Sequence, residues 1–260
     1  MSGIDRFAAP LSCISLRRQR GLSLVELMIA MTLGLIILFA VAAVYTGSRQ
    51  SFRMQEENAR LQETGRFALE MIGRSVRQAG FWNMPINPVA TATGFGGVPV
   101  NGTNGVTDTI TVQYDGLTGD RDCEGTLLAA NGVVTEVYSI SANNELVCEG
   151  IDANNAASPL VGNIEDLQIL YGSDTTADQS ADRYQAVPAN WGQVVTARVC
   201  IQVRSDNNVS NVSQRFLNCG GVLGTAVGAA AFTNSAAGDN TLRRTFVATF
   251  NLRNRVTNVP

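Results

Sequence analysis

The sequence predicts an α+β fold in which one long N-terminal helix packs on an antiparallel β-sheet. Three observations carry this. An apolar run of 24 residues, Leu22 to Tyr45, passes without a turn signal into a helix-periodic stretch that lasts to about residue 79. From residue 109 on, short segments alternate apolar and polar residues, as half-buried antiparallel strands do. Between the two patterns, residues 81–108 are rich in Gly, Pro, Thr and Asn and read as a connecting loop region.

The helix comes first in the chain. As an α-helix its apolar run is about 36 Å long, enough to cross a hydrocarbon core of about 30 Å. Arg6, Arg17, Arg18 and Arg20 precede it, so the positive-inside rule places residues 1–21 in the cytoplasm and the rest outside. The run is too long for a secretory signal peptide and lacks a small-x-small cleavage site at its far end. An ordinary signal anchor fits everything except Glu26, the lone charge in the run. A carboxylate near the end of a membrane helix costs a few kcal/mol unless it is paired or near the interface, and a plain anchor gains nothing from it. If the chain is cut between Gly21 and Leu22, the new α-ammonium lies one helical turn from Glu26. In a bundle of such helices the carboxylate of one subunit can neutralise the ammonium of its neighbour.

Beyond the apolar run the helical pattern continues. Met54, Leu61, Ala68, Ile72, Val76 and Ala79 recur at helical steps and predict one buried face. Glu56 with Arg60 and Glu70 with Arg74 are i,i+4 pairs in the favoured order. Gly80 is the expected C-cap and Pro85 forbids continuation. A single helix from about Leu22 to Ala79 would be roughly 87 Å long. Gly34, Gly47 and Gly65 are soft points within it, since glycine costs about 1 kcal/mol relative to alanine in a helix.

Strands are expected at 109–114, 133–140, 145–148, 164–171, 193–204 and 242–253, with a hairpin at "SANN" between the second and third. Residues 220–241, rich in Ala and Gly, read as a mobile connection rather than a helix. The chain therefore divides into a leader (1–21), an apolar helical segment (22–45), an amphipathic continuation (46–80) and a β-rich globular domain (81–260).

Composition excludes common enzyme chemistry. There is no histidine, which removes Ser-His and Cys-His catalysis and His-ligated metals. All 19 basic residues are arginine, so a phosphate-loop lysine and a Schiff-base lysine are absent too. No triad, metal cluster or phosphate loop emerges, and the expectation is a non-enzyme without cofactor or metal. Residues 80–220 carry 15 acids against 5 arginines, a balance that repels nucleic acid. The chain's end reverses sign with Arg243, Arg244, Arg253 and Arg255 against Asp239. These read as solvated arginines on a strand edge, with contact to an acidic partner as the alternative. Asp174, Asp178 and Asp182 lack the Gly and Glu of a calcium loop and read as a solvated acidic loop. Trp82 and Trp191 are expected to pack against the helix or sheet rather than to anchor a partner.

Five cysteines divide into Cys13 in the leader and Cys123, Cys148, Cys200 and Cys219 in the body. An exported topology and the absence of zinc-type spacing favour two disulfides. Of the three pairings, Cys123–Cys148 with Cys200–Cys219 is preferred, because each bridge closes a modest loop with turn residues. Each would add roughly 3 kcal/mol.

"RGLSLVEL" (20–27) resembles the type III signal of type IV prepilins: a basic leader, Gly, an apolar first mature residue and Glu at the fifth. Leu22 stands where Phe is commoner, and the leader is long. "GRFALEMIGRSVRQAGF" (65–81), "IEDLQILYGSDT" (164–175), "VVTARVCIQVRS" (194–205) and "LRRTFVATFNLRNR" (242–255) look like segments of PilW-type minor pilins. The cysteine that such proteins often carry after the "AGF" element is missing. The resemblance implies a pilin-like fold and cleavage by a prepilin peptidase between Gly21 and Leu22. It also implies N-methylation of Leu22 and assembly through Glu26. It further implies a minor pilin that helps prime the type IV pilus, supporting motility and adhesion. The implied partners are other minor and major pilins, the inner-membrane assembly platform, a large tip adhesin and, before assembly, the lipid bilayer. The implied location is the inner membrane, single-pass with a periplasmic C-terminal domain, and then the pilus near its tip. A type II secretion pseudopilin or a membrane-anchored binding protein would share the leader and helix.

Overall fold

The computed structural model describes residues 21–82, 97–151, 157–209 and 213–254. Residues 1–20 of the leader, with Cys13, and also Pro85 and Arg255, lie outside the described residues. The chain divides into two compact units, 1–49 and 50–260.

Helix α1 (Leu24–Gln78) begins in the first unit, where its side chains lie exposed. Within the second unit the predicted periodic face is the buried one: Leu61, Ala68, Ile72, Val76 and Ala79 have at most 2% of their surface exposed. Met54, at the start of that face, stays on its margin. Gly80 ends the helix in the left-handed conformation (φ 71°), and its N–H reaches the carbonyl of Gln113 at 2.8 Å. Arg60 pairs with Glu56 at 2.8 Å as expected. Glu70 instead pairs with Arg77, two turns on, and Arg74 lies beside the sheet.

After the helix come β1 (Val100–Thr103), β2 (Thr109–Gly116), β3 (Gly132–Ile140), β4 (Glu145–Glu149), β5 (Ser158–Gly162), β6 (Ile164–Ser173), β7 (Arg183–Gln185), β8 (Val194–Asn208), β9 (Arg215–Leu217), α2 (Cys219–Leu223), β10 (Phe232–Asn234) and β11 (Thr241–Asn251). β1 to β5 form one five-stranded sheet in sequence order, and a four-stranded sheet runs β11-β8-β6-β7. Every pairing is antiparallel. The "SANN" hairpin forms as expected, with Asn144 at φ 59°.

The buried helix face and both larger sheets share one apolar core. A smaller cluster of Leu170, Cys200, Cys219 and Leu223 joins β6 and β8 to α2. Disulfides link Cys123 to Cys148 and Cys200 to Cys219, with Cα–Cα separations of 6.3 and 5.7 Å. The second bridge explains a difference from the sequence reading. Residues 220–241 are not a plain loop: α2 is capped by the Asn218 side chain, which accepts the Gly221 N–H at 2.8 Å, and by Gly224 at φ 78°. β10 then pairs with β9. Likewise β1 lies inside the stretch read as a connecting loop.

Gly65 and Gly73 are notches for aromatic rings. A methyl group built at Gly65 would collide with the Phe246 ring, and one at Gly73 with the Phe250 ring. Both rings come from β11, so the glycine read as a soft point is where a strand docks. Helix propensity alone favours alanine at both positions by about 1 kcal/mol. Overpacking opposes it by about 1–3 kcal/mol. We expect Gly65→Ala and Gly73→Ala each to lower the melting temperature of the detergent-solubilised chain, read by circular dichroism; a rise would mean that propensity outweighs packing.

Candidate functional site

The first unit holds the residues singled out at the N-terminus. Gly21, Leu22 and Ser23 precede α1 in non-helical, exposed backbone. The first intrahelical bond runs from the Leu27 N–H to the Ser23 carbonyl at 3.1 Å. Glu26 thus falls in the first turn, where a negative charge meets the positive end of the helix dipole. None of the helix's most apolar window is buried, and Leu22, Leu24 and Phe39 are each more than 70% exposed. The two threonine hydroxyls of this half of the helix are satisfied within it. Thr32 donates to the Ile29 carbonyl at 2.9 Å, and Thr46 to Ala42 and Ala43 at 3.1 and 3.0 Å. Beyond its first turn, the helical backbone and these threonines need nothing from water, as an apolar surrounding demands. Glu26 is the exception. The next charge, Arg49, sits over the Tyr45 ring at 5.6 Å, an aromatic–cationic pair suited to a membrane interface.

In the second unit a polar network fastens α1 to the five-stranded sheet. Glu136 is 4% exposed on β3, and its carboxylate accepts hydrogen bonds from Ser75 at 2.7 Å and Tyr114 at 3.0 Å. Tyr138 lies 2.7 Å from the Ser75 hydroxyl and 3.3 Å from the same carboxylate. Burial, and then the Glu136 charge, push both tyrosines well above the ordinary phenol range, so they remain protonated donors. Sequence reasoning missed this network; its one visible signal is Ser75, a polar residue on an otherwise apolar helix face.

The acidic loop is not a solvated one throughout. Asp174 is 3% exposed, and its carboxylate accepts the N–H groups of Thr176, Ala177 and Gln179 at 3.1, 2.6 and 2.8 Å. Asp182 accepts both the N–H and the hydroxyl of Thr175 at 2.6 Å. These donors hold both carboxyls below the usual range. The loop thereby stabilises Ala177 and Gln179 in left-handed backbone, at φ 64° and 66°. Asp178 instead holds the Ser180 N–H. Among the described residues, no group of three or more His, Cys, Asp and Glu is placed to hold a metal ion. Trp191 packs edge-on against Tyr171, with centroids 4.8 Å apart, and Trp82 is half-buried.

Comparison with known proteins follows the same lines. Residues 134–254 match the family model for Type IV Pilus-assembly protein W, and residues 16–42 match the prokaryotic N-terminal methylation motif. Among solved structures, the fold is similar to the type IV-like pilin TTHA1219 from Thermus thermophilus, at 15% identity. That alignment covers 75% of this chain and 96% of the other, with a TM-score of 0.46. No curated protein matches the sequence.

Two consequences of the electrostatics are measurable. Arg243 and Thr241 hydrogen-bond Asp239 and hold its carboxyl far below the ordinary value. A carboxyl depressed in the folded state contributes stability above its unfolded value of about 3.9, and that stability is lost as pH falls through the folded value. Thermal melts of Arg243→Met should therefore lose the part of the acid-side decline in wild-type stability that arises below about pH 4; an unchanged profile would contradict this. Asp174→Ala should speed hydrogen exchange at the Ala177 and Gln179 amides, and calcium should not restore protection, because the carboxylate's partners are backbone donors.

Proposed function

The chain is a type IV pilin-like protein of the PilW family with an N-terminal methylation motif, and on that premise we propose that it is a minor pilin that helps prime pilus assembly. The family and the fold are structural rather than enzymatic. The motif and the apolar helix fit a membrane-anchored pilin, and the family suggests interaction with other pilus components. The finer reading is that a prepilin peptidase cuts between Gly21 and Leu22 and that Leu22 is then methylated on its new amine. The apolar helix next leaves the bilayer for a bundle of like helices, where Glu26 meets the α-ammonium of a neighbouring subunit. Other minor and major pilins, the assembly platform and a tip adhesin are the partners of this reading, and the filament tip is its location.

The observation that carries it is an unburied apolar segment of α1 whose sole charge, Glu26, stands in the helix's first turn, inside the matched motif. A lone carboxylate in lipid costs a few kcal/mol. A facing ammonium offsets that cost and fixes the register between helices. A mere tether would be relieved by losing Glu26.

Mass spectrometry of the membrane-extracted protein should find a chain beginning at methylated Leu22; an intact Met1 would reject the reading. Glu26→Ala should leave the protein at near-normal membrane levels while pilus number drops severely. Normal piliation by that variant would rule out the electrostatic step.

A further inference from the structure

Three of the four outer strands of the two larger sheets are short. β1 has 4 residues, β7 has 3, and β5 has 5 and contains Pro159. Short edge strands and edge prolines are what folded proteins use to prevent pairing with other chains. β11 breaks the pattern. It has 11 residues and contains no proline. Its pairing with β8 runs without a register shift from Arg243 to Asn251.

The free side of β11 follows from its pairing. The Leu252 N–H bonds to the Val195 carbonyl at 2.9 Å, which sets the alternation along the ladder. Phe250, Ala248 and Phe246 therefore exchange bonds with β8, whereas Val247, Thr249 and Asn251 aim their N–H and C=O groups outward. Among the described residues, none of these three makes a backbone hydrogen bond to a further element. Their side chains are exposed, and Val247 is 44% exposed. The rings of Phe246 and Phe250 fix the strand against α1, so the edge is presented rigidly.

Charge indicates what fits there. The exposed arginines Arg244 and Arg253 bracket the edge. Symmetric antiparallel pairing with β11 of a second copy would set Arg253 opposite Arg243, whose charge Glu165 and Asp239 already meet, and would bring neither Arg244 nor Arg253 an acidic partner. The matching occupant is an extended segment carrying acidic side chains at the ends. We propose that the outer edge of β11 receives such a segment from a different pilus subunit as an added strand. This rests on the assembly reading above and adds where, and by what chemistry, the globular domain docks.

The test compares amide hydrogen exchange in the detergent-solubilised mature chain alone and in complexes purified with the other pilins of the same pilus. In the isolated chain the Val247, Thr249 and Asn251 amides should exchange faster than those of Phe246, Ala248 and Phe250. In the complex they should become protected by roughly tenfold or more, the scale of a formed hydrogen bond. Val247→Pro removes an outward N–H without touching the β8 ladder. It should keep the wild-type melting temperature and recover roughly tenfold less partner, whereas Val247→Thr should recover as much as wild type. Arg253→Glu should weaken recovery and reduce its sensitivity to salt. If complexes form but the three amides exchange as in the free chain, the edge proposal is wrong and the assembly reading stands. If the wild-type chain forms no complex with other pilins, both fall.

Discussion

An apolar helix that buries nothing within its own fold is the constraint on which the rest of this molecule depends. Each fully exposed Leu, Ile, Phe or Val forgoes about 1.5–3 kcal/mol of burial. Twelve such residues between Leu22 and Val44 are at least half exposed. The deficit is too large to leave in water, so this segment needs a lipid or protein surrounding. Lipid and a bundle of like helices are about equally apolar, so burial alone does not choose between them. Charge and close packing do. Glu26, poorly served by lipid, is the one side chain in the run whose free energy differs strongly between the two surroundings.

The second half of the same helix obeys the opposite rule, because its surroundings are supplied by its own chain. Small residues at Gly65 and Gly73 admit the Phe246 and Phe250 rings. Ser75 then enters a hydrogen-bonded network around Glu136, on the other sheet. A buried carboxylate with several hydroxyl donors is stable only if every member keeps its place, so the network specifies the helix's rotation as well as its adhesion. Asn207, on β8, adds a bond to the buried Glu57 at 2.7 Å. One helix thus serves two purposes, and residue size and polarity along its face mark the change.

Much of this was legible in the sequence, and the remainder was hidden for identifiable reasons. The helix, its buried face, its glycine stop and six strands (β2, β3, β4, β6, β8 and β11) carry pattern or turn signals in the sequence, whereas β5 does not. Glu26 was legible because a charge in an apolar run has no neutral explanation. β7, β9 and β10, at 3 residues each, are too short to show alternation, and α2 is a 5-residue helix within an Ala/Gly-rich stretch. What orders that stretch is the Cys200–Cys219 bridge and the Asn218 cap, which are contacts rather than patterns. The Glu70–Arg77 pair was missed because local spacing favours Arg74, whereas Arg77 also stacks on Phe250 of β11 at 5.5 Å. The glycine notches failed to show for the same reason: the rings that fill them lie about 180 residues downstream.

The C-terminal arginines show how far composition can mislead. Arg243 and Arg244 are adjacent and identical, and the sequence assigns them one solvated role. In a strand, neighbours point to opposite faces. The side chain of Arg243 is 9% exposed, held by Glu165 and Asp239 at 2.6 Å each and set over the Phe216 ring at 5.4 Å. It belongs to the architecture, tying β6 and β11 to the β9 excursion. Arg244 turns toward the helix, where among the described residues its guanidinium meets only Asn58, at 3.3 Å, and remains exposed. Guanidinium desolvation is tolerable where two carboxylates meet it in good geometry, and Arg243 has both. Among the described residues Arg244 and Arg253 have no such pair of carboxylates, and they remain exposed at the rim of a strand whose inner face is already filled. The same residue type therefore closes the fold at one position and leaves it open to association at the next.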